Sequence, residues 1–176
     1  MRSPMRRAGA GLLGLLALAV AALALAAPAS AEGLPSLGAE RLSGIRVDVG
    51  ALVARGDGPR AQVLQADLIQ ALRAEFADVS GGRGPTLVVR LRTLSMNSYV
   101  GNQGRSGFGG SMDSDYLDGE ALLVGRRGEI LARHPQLSVV PASSGGAWYD
   151  PESERRRVAA IAAHYAGWLR RALPSN

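Results

Sequence analysis

The chain has 176 residues, of which 47% are hydrophobic, and it has no cysteine, so it forms no disulfide and carries no lipid on a cysteine thiol. It holds 20 basic residues, all of them arginine, against 15 acidic ones. Three of the arginines precede a long apolar run at the N-terminus, and the 17 that follow it exceed the 15 acidic residues by only two. An excess this small does not indicate a nucleic-acid partner.

The first 31 residues have the order of a secretory signal peptide. Arginines come first, then an uncharged Ala/Leu run from Ala8 to Ala27, then the small residues Ala29, Ser30 and Ala31. We therefore predict export to the bacterial periplasm with cleavage after Ala31, so that the chain meets a membrane only through this segment and only before cleavage. The apolar run is also long enough to span a bilayer, and an uncleaved anchor is the alternative.

The rest of the chain has the length of one domain, with an N-terminal lead over 32–42 and a folded part over 43–173. Residues 43–50, SGIRVDVG, alternate apolar with charged side chains, which predicts a half-buried strand. Residues 60–77 place apolar side chains at spacings of three and four. This pattern predicts an amphipathic helix with a buried stripe of Ala61, Leu64, Leu68, Ala71, Leu72 and Phe76.

Three further strands are predicted between residues 86 and 140. The second strand (86–94) and the third (116–124) each alternate so that one face is apolar and the other charged. The glycines of GRRGE at 125–129 indicate a hairpin turn into the fourth strand at 130–140. Pro135 cannot donate a hydrogen bond to a neighbouring strand, so we predict that the fourth strand lies at an edge of the sheet or is bulged.

The last helix has the clearest signals at its ends. Asp150 and Pro151 suit its N-cap and first position, while Arg170 and Arg171 suit the negative end of its dipole. Its predicted apolar stripe consists of Val158, Ile161, Ala162, Tyr165, Trp168, Leu169 and Ala172.

The predicted order β-α-β-β-β-α indicates an α+β fold, with a four-stranded, mainly antiparallel sheet and two helices on one of its faces. Cross-strand ion pairs would make the other face compatible with water, each contributing at most about 1 kcal/mol. The alternative is an electrostatically patterned docking surface, for which Arg90 and Arg92 are the candidate partner-binding residues. The charged residues predicted for this face are Arg46, Asp48, Arg90, Arg92, Asp118 and Glu120.

Two segments resemble small secreted envelope proteins with the same β-α-β-β-β-α layout. They are the strand-turn-strand YLDGEALLVGRRGEILAR at 116–133 and the helix SERRRVAAIAAHYAGWLRRAL at 153–173. The layout is similar to that of the lipopolysaccharide-assembly lipoprotein and of the auxiliary lipoproteins of envelope ABC transporters. This resemblance implies binding of partners rather than catalysis. The chain departs from those lipoproteins in having no lipid-anchor cysteine.

A Gly-rich loop is predicted at about 97–115, within which GNQGRSGFGGSMDSDYLDGE begins at Gly101 and ends at Glu120 in the following strand. A phosphate cradle is disfavoured, because the Walker and G-x-G-x-x-G spacings and any lysine are missing. Calcium is a weak alternative, since Asp113, Asp115 and Asp118 supply oxygen ligands but are spaced too widely for an EF-hand. A connection of this length is typical of a binding loop or of a disordered segment.

Aromatic side chains supply the remaining candidates for contact with a partner. Phe108 lies in the Gly-rich loop, and Trp148 and Tyr149 stand at the entrance to the last helix. There they either anchor a partner or pack on the first helical turn.

Catalytic and metal signatures are weak in this sequence. His134 and His164, without any cysteine, do not make a zinc site, and Ser143 and Ser144 lack the G-x-S-x-G elbow. We therefore expect no enzymatic activity, no cofactor and no bound metal. The sequence favours a non-catalytic periplasmic accessory protein that contacts an envelope protein during assembly or transport. The alternative is a small ligand-binding protein, with calcium as one ligand, or a hydrolase that uses the 101–120 loop.

Overall fold

The structure, a computed structural model, describes residues 34–96, 114–147 and 149–174. The predicted order of strands and helices is confirmed within these ranges, and a short helix, α1, is added after the first strand. Short 3-10 turns follow the second helix at Ala77–Val79 and the last strand at Ala142–Gly145. The elements are β1 (Gly44–Asp48), α1 (Gly50–Ala54), α2 (Gly58–Glu75), β2 (Thr86–Ser95), β3 (Ser114–Val124), β4 (Ile130–Pro141) and α3 (Ser153–Ala172).

The four strands form one sheet in the order β1-β2-β3-β4. β1 runs parallel to β2, and the other two pairs are antiparallel, which confirms the α+β fold with a mainly antiparallel sheet. The pairing of β2 with β3 shifts register between Leu91 and Thr93, so Arg92 is the bulged residue. β4 lies at an edge of the sheet, as predicted from Pro135.

One face of the sheet packs under α2 and α3. The apolar faces predicted for the second and third strands are confirmed, since their inward side chains are at most 2% exposed. The predicted stripe of α2 is also confirmed, with Ala71 partly buried at its margin. The strand residues in this core are Leu87, Val89, Leu91, Leu117, Ala121 and Leu123.

The stripe predicted for α3 is correct at Val158, Ile161, Ala162, Tyr165 and Leu169, which are buried. It is wrong at Trp168, which is 49% exposed. This side chain lies at the margin of the stripe and turns along the helix surface. There its Nε1 donates to His164 Nε2 at 2.9 Å and its ring lies 4.4 Å from the guanidinium of Arg171.

The start of α3 also differs from the prediction, because the helix begins at Ser153 rather than at Pro151. The Asp150 carboxylate accepts the backbone N–H of Glu152 at 2.9 Å, and the Asp150 carbonyl accepts that of Ser153 at 2.9 Å. Asp150 therefore closes a turn that leads into the helix instead of capping the helix itself.

The N-terminal lead is part of the packed domain from Leu34 onward. Leu34 is 2% exposed, and its backbone N–H donates to the carbonyl of Ala172 at 3.2 Å. Leu42 is fully buried and donates to the carbonyl of Val79 at 2.7 Å. In the described part of the chain, no helix is long and apolar enough to cross a membrane. The predicted signal segment, residues 1–31, lies outside that part.

One ion pair lies inside the core, between β3 and α3. Arg157 Nε donates to Asp115 Oδ2 at 2.7 Å, and Nη2 donates to Oδ1. The two side chains are 4% and 0% exposed. Neither residue belongs to a predicted apolar stripe, and the sequence pattern predicts Asp115 in the Gly-rich loop. The structure instead places it in β3, with its side chain directed to the helices.

Candidate functional site

The face of the sheet opposite α2 and α3 is called the open face. It carries all six charged residues that the sequence places there: Arg46 and Asp48 on β1, Arg90 and Arg92 on β2, and Asp118 and Glu120 on β3. They alternate along the strands with the buried side chains of the core. The open face thus brings together two of the predicted partner-binding residues, Arg90 and Arg92.

Arginine and carboxylate side chains pair across the middle of the open face. Arg90 lies between Asp48, at 3.9 Å, and Glu120, at 3.5 Å. Glu120 also pairs with Arg133 of β4 at 3.5 Å. These contacts link all four strands of the sheet through their side chains.

The bulge at Arg92 provides the best-formed pair of this face. Its Nε and Nη2 donate to the two carboxylate oxygens of Asp118 at 3.0 and 2.9 Å, and this contact raises the pKa of the arginine. The two side chains are 48% and 35% exposed, however, and Arg90 is 50% exposed. Water therefore screens these pairs, and each contributes about 1 kcal/mol or less.

An apolar strip lies beside these ion pairs on β3 and β4. It consists of Tyr116, Leu137 and Val139, which are 42%, 60% and 41% exposed. Tyr116 is directly opposite Val139 in the register, and Leu137 is opposite Asp118. Three neighbouring large apolar side chains on a surface are stronger evidence of a contact site than a single exposed one.

The strip results from an inverted pattern in β4. Gln136 and Ser138 point to the core and are 8% and 1% exposed, while Leu137 and Val139 point outward. Gln136 Nε2 donates to the backbone carbonyl of Tyr165 at 2.8 Å, which satisfies one polar group in the core. In the part of the chain that the structure describes, this inversion leaves most of the Leu137 side chain exposed.

β3 lies unusually close to α3 beneath this part of the open face. A Cβ on Gly119 would stand 2.7 Å from the carbonyl oxygen of Arg90 and 3.1 Å from the hydroxyl of Tyr165. That hydroxyl is buried and has no hydrogen-bond partner among the described residues, and burial raises its pKa. Glycine at this position therefore lets α3 pack close to β3, because no side chain of residue 119 stands between them.

The other candidate partner-binding residues do not all join the open face. Tyr149 is 75% exposed in the connection between β4 and α3. Phe108 and Trp148 lie outside the described residues. Sequence reasoning missed Leu137 and Val139, although the alternation Gln136, Leu137, Ser138, Val139 could have been recognised as a strand with apolar residues on one side.

The weak calcium alternative finds no common site in the structure. Asp115 points into the core to Arg157, while Asp118 points to Arg92 on the open face. The two carboxylates thus lie on opposite faces of β3 and cannot approach one cation together. Asp113 lies outside the described residues. Among the residues that are described, no group of three or more acidic or histidine side chains could hold a metal ion.

The histidines and serines considered for catalysis occupy ordinary positions. His134 is half-buried in β4, and burial lowers its pKa. His164 accepts the hydrogen bond from Trp168 on α3. Ser143 and Ser144 are exposed in the 3-10 turn after β4, which is not a strand-to-helix elbow.

No protein-family model and no curated protein matches the sequence. Similar solved structures include a PelC dodecamer from Paraburkholderia phytofirmans, with 7% identity and a TM-score of 0.43 over 82% of this chain and 96% of that one. They also include a minor lipoprotein from Acinetobacter baumannii, with 11% identity and a TM-score of 0.39 over 74% of this chain and 90% of that one. At TM-scores below 0.5 these likenesses carry no conclusion about function.

Proposed function

We propose that this chain is a non-catalytic accessory protein of the bacterial periplasm that binds an envelope protein through the open face of its sheet. The observation that carries the proposal is the apolar strip of Tyr116, Leu137 and Val139 on that face. Burying a large apolar side chain contributes about 1.5–3 kcal/mol, so a partner that covers the strip gains most of its affinity there.

The position of the strip at the sheet edge favours an extended partner segment. β4 has 12 residues and, among the described strands, pairs with β3 alone. No other described strand pairs with its second edge, so an added strand could pair there, except where Pro135 lacks an N–H. A strand that pairs there and alternates apolar side chains would cover Leu137 and Val139 at the same time.

The charges of the open face indicate the chemistry of this partner. The paired group contains three arginines, Arg90, Arg92 and Arg133, and three carboxylates, from Asp48, Asp118 and Glu120, so its formal charge is zero. A partner therefore needs no opposite charge to cover this area. We infer an apolar, strand-forming segment rather than an acidic or basic tail, with the ion pairs setting its position.

A photo-crosslinking amino acid at position 137 tests the proposal in the host cell. We expect one reproducible envelope-protein adduct from position 137 and none from position 63. Val63 is the matched control because it is 38% exposed but lies on α2, on the other side of the sheet. Equal adducts from both positions would contradict binding through the open face.

Binding of the identified protein is then measured with purified components. Leu137→Asp should raise the dissociation constant about tenfold or more, because 1.4 kcal/mol of lost binding free energy corresponds to a factor of ten. Val63→Asp should leave it unchanged, and both variants should keep the wild-type melting temperature since both side chains are exposed. An unchanged dissociation constant for a folded Leu137→Asp protein would overturn the assignment of the strip.

A further inference from the structure

Arginines without a carboxylate partner collect at one end of the open face. Arg46 of β1, Arg83 of the loop before β2 and Arg126 of the β3–β4 turn form no ion pair with any described residue. All three are exposed. This end differs from the middle of the same face, where each of Arg90, Arg92 and Arg133 has a carboxylate within 3.5 Å.

The three side chains surround one cavity. It has a volume of about 530 Å³ and is also lined by Ser43 and Thr86, and we call it the arginine groove. The described residues that line it include no carboxylate. A neighbouring cavity of about 620 Å³ shares Arg83 and Arg126 with the groove. That second cavity is lined by two carboxylates, from Glu40 and Glu129, so its charge is partly cancelled.

Hydroxyl groups add neutral donors to the charged ones. The Ser43 and Thr86 side-chain oxygens lie 3.0 Å apart and share one hydrogen bond. At least one hydroxyl hydrogen of this pair can therefore turn to another acceptor. The groove thus offers hydrogen-bond donors of both kinds to an anion.

The backbone around the groove is tightly held. Gly84 donates its N–H to the carbonyl of Arg41 at 2.8 Å, and a Cβ at Gly84 would lie 2.6 Å from that oxygen. The opposite wall is the turn in which Gly125 donates its N–H to the carbonyl of Glu129 at 2.8 Å and Gly128 adopts a φ of 87°. Each of the two loops that carry Arg83 and Arg126 is therefore held by its own backbone hydrogen bonds, which reduces the ordering that a ligand has to impose.

We infer that the arginine groove binds a ligand that bears phosphate groups. Guanidinium groups bind phosphate in a bidentate manner, and a phosphate presents more oxygen acceptors than a carboxylate does, which suits three arginines and two hydroxyls. This inference does not depend on the protein partner proposed above, since it uses a different part of the surface. The phosphate can belong to a soluble molecule or to a lipid headgroup.

Inorganic pyrophosphate is the probe for a first test, by calorimetric titration of the purified exported protein at low ionic strength. We expect saturable binding that weakens as NaCl is raised, because salt screens exposed charges. The triple variant Arg46→Gln, Arg83→Gln, Arg126→Gln should bind at least tenfold more weakly. Arg73→Gln is the matched control, since Arg73 is exposed on α2 and lines neither cavity.

Vesicles that contain phosphatidylglycerol distinguish the two sources of phosphate. Sedimentation of the protein with these vesicles, lost in the triple variant and kept in Arg73→Gln, assigns the groove to a lipid headgroup. Binding of pyrophosphate without vesicle binding assigns it to a soluble ligand. Absence of both, or an equal loss in Arg73→Gln and the triple variant, overturns the inference. Circular dichroism melting of each variant checks that the loss is not unfolding.

Discussion

Arg157 and Arg92 hold two carboxylates of the same strand in the same way, one on each face of the sheet. Each uses Nε and Nη2 against both oxygens, and the partners Asp115 and Asp118 stand three residues apart on β3. The side chains of the first pair are 4% and 0% exposed, and those of the second are 48% and 35% exposed. Because the geometry of the two contacts is the same, we expect exposure to solvent to decide how much stability is lost when one partner is removed.

The largest effect is expected from breaking the buried pair. Asp115→Ala leaves the Arg157 guanidinium without its carboxylate partner in the core, which should lower the free energy of unfolding by about 3–5 kcal/mol. Urea denaturation followed by circular dichroism measures this loss. The double variant Asp115→Leu, Arg157→Met removes both charges and should recover most of the stability. A double variant as unstable as Asp115→Ala would show that the pair is needed for its shape rather than its charge balance.

A much smaller effect is expected on the open face. Arg92→Gln removes the guanidinium that donates to both carboxylate oxygens of Asp118. Water can hydrate the remaining carboxylate, so the free energy of unfolding should fall by about 1 kcal/mol or less. The same urea denaturation measures it, and a double-mutant cycle with Asp118→Asn isolates the pair. A loss comparable to that of Asp115→Ala would mean that the open face is shielded from water in the folded protein.

The smallest effect concerns a pair that belongs to neither face. The backbone N–H of Glu152 and the guanidinium of Arg156 hold the pKa of Asp150 below its ordinary value of 3.8. The ionised form is therefore favoured by folding, and its contribution is present above pH 3.8 and lost as the pH falls through the lowered pKa. Asp150→Asn should flatten the fall in melting temperature below pH 4. Parallel curves for the variant and the wild type would contradict this.

The sequence is sufficient to predict which face of β2 and β3 is buried. In both strands apolar and charged residues alternate, so burial of one set forces the other set outward. The same reasoning places Arg90, Arg92, Asp118 and Glu120 on one face before their partners are known. Pro135 lacks the N–H that a central strand requires, which predicts an edge position or a bulge for β4, and the structure has the edge position.

The outward direction of the apolar strip and the buried ion pair could not be predicted in this way. In β4 the tertiary register places Gln136 and Ser138 inside and Leu137 outside, against their own hydrophobicity. Asp115 and Arg157 are 42 residues apart, and each reads as a surface residue until the chain folds around the pair. The arginine groove likewise combines side chains from β1, from the loop before β2 and from the β3–β4 turn. These segments are far apart in the sequence, so no local pattern contains the groove.

The hydrogen bond between Leu34 and Ala172 places the two ends of the described chain next to each other. The described chain enters and leaves the domain at this one contact, beside the C-terminal end of α3. A tether, tag or fused domain joined to either end is therefore attached beside α3, on the side of the sheet that carries the helices. The open face, with its apolar strip and its arginine groove, lies on the opposite side of the sheet.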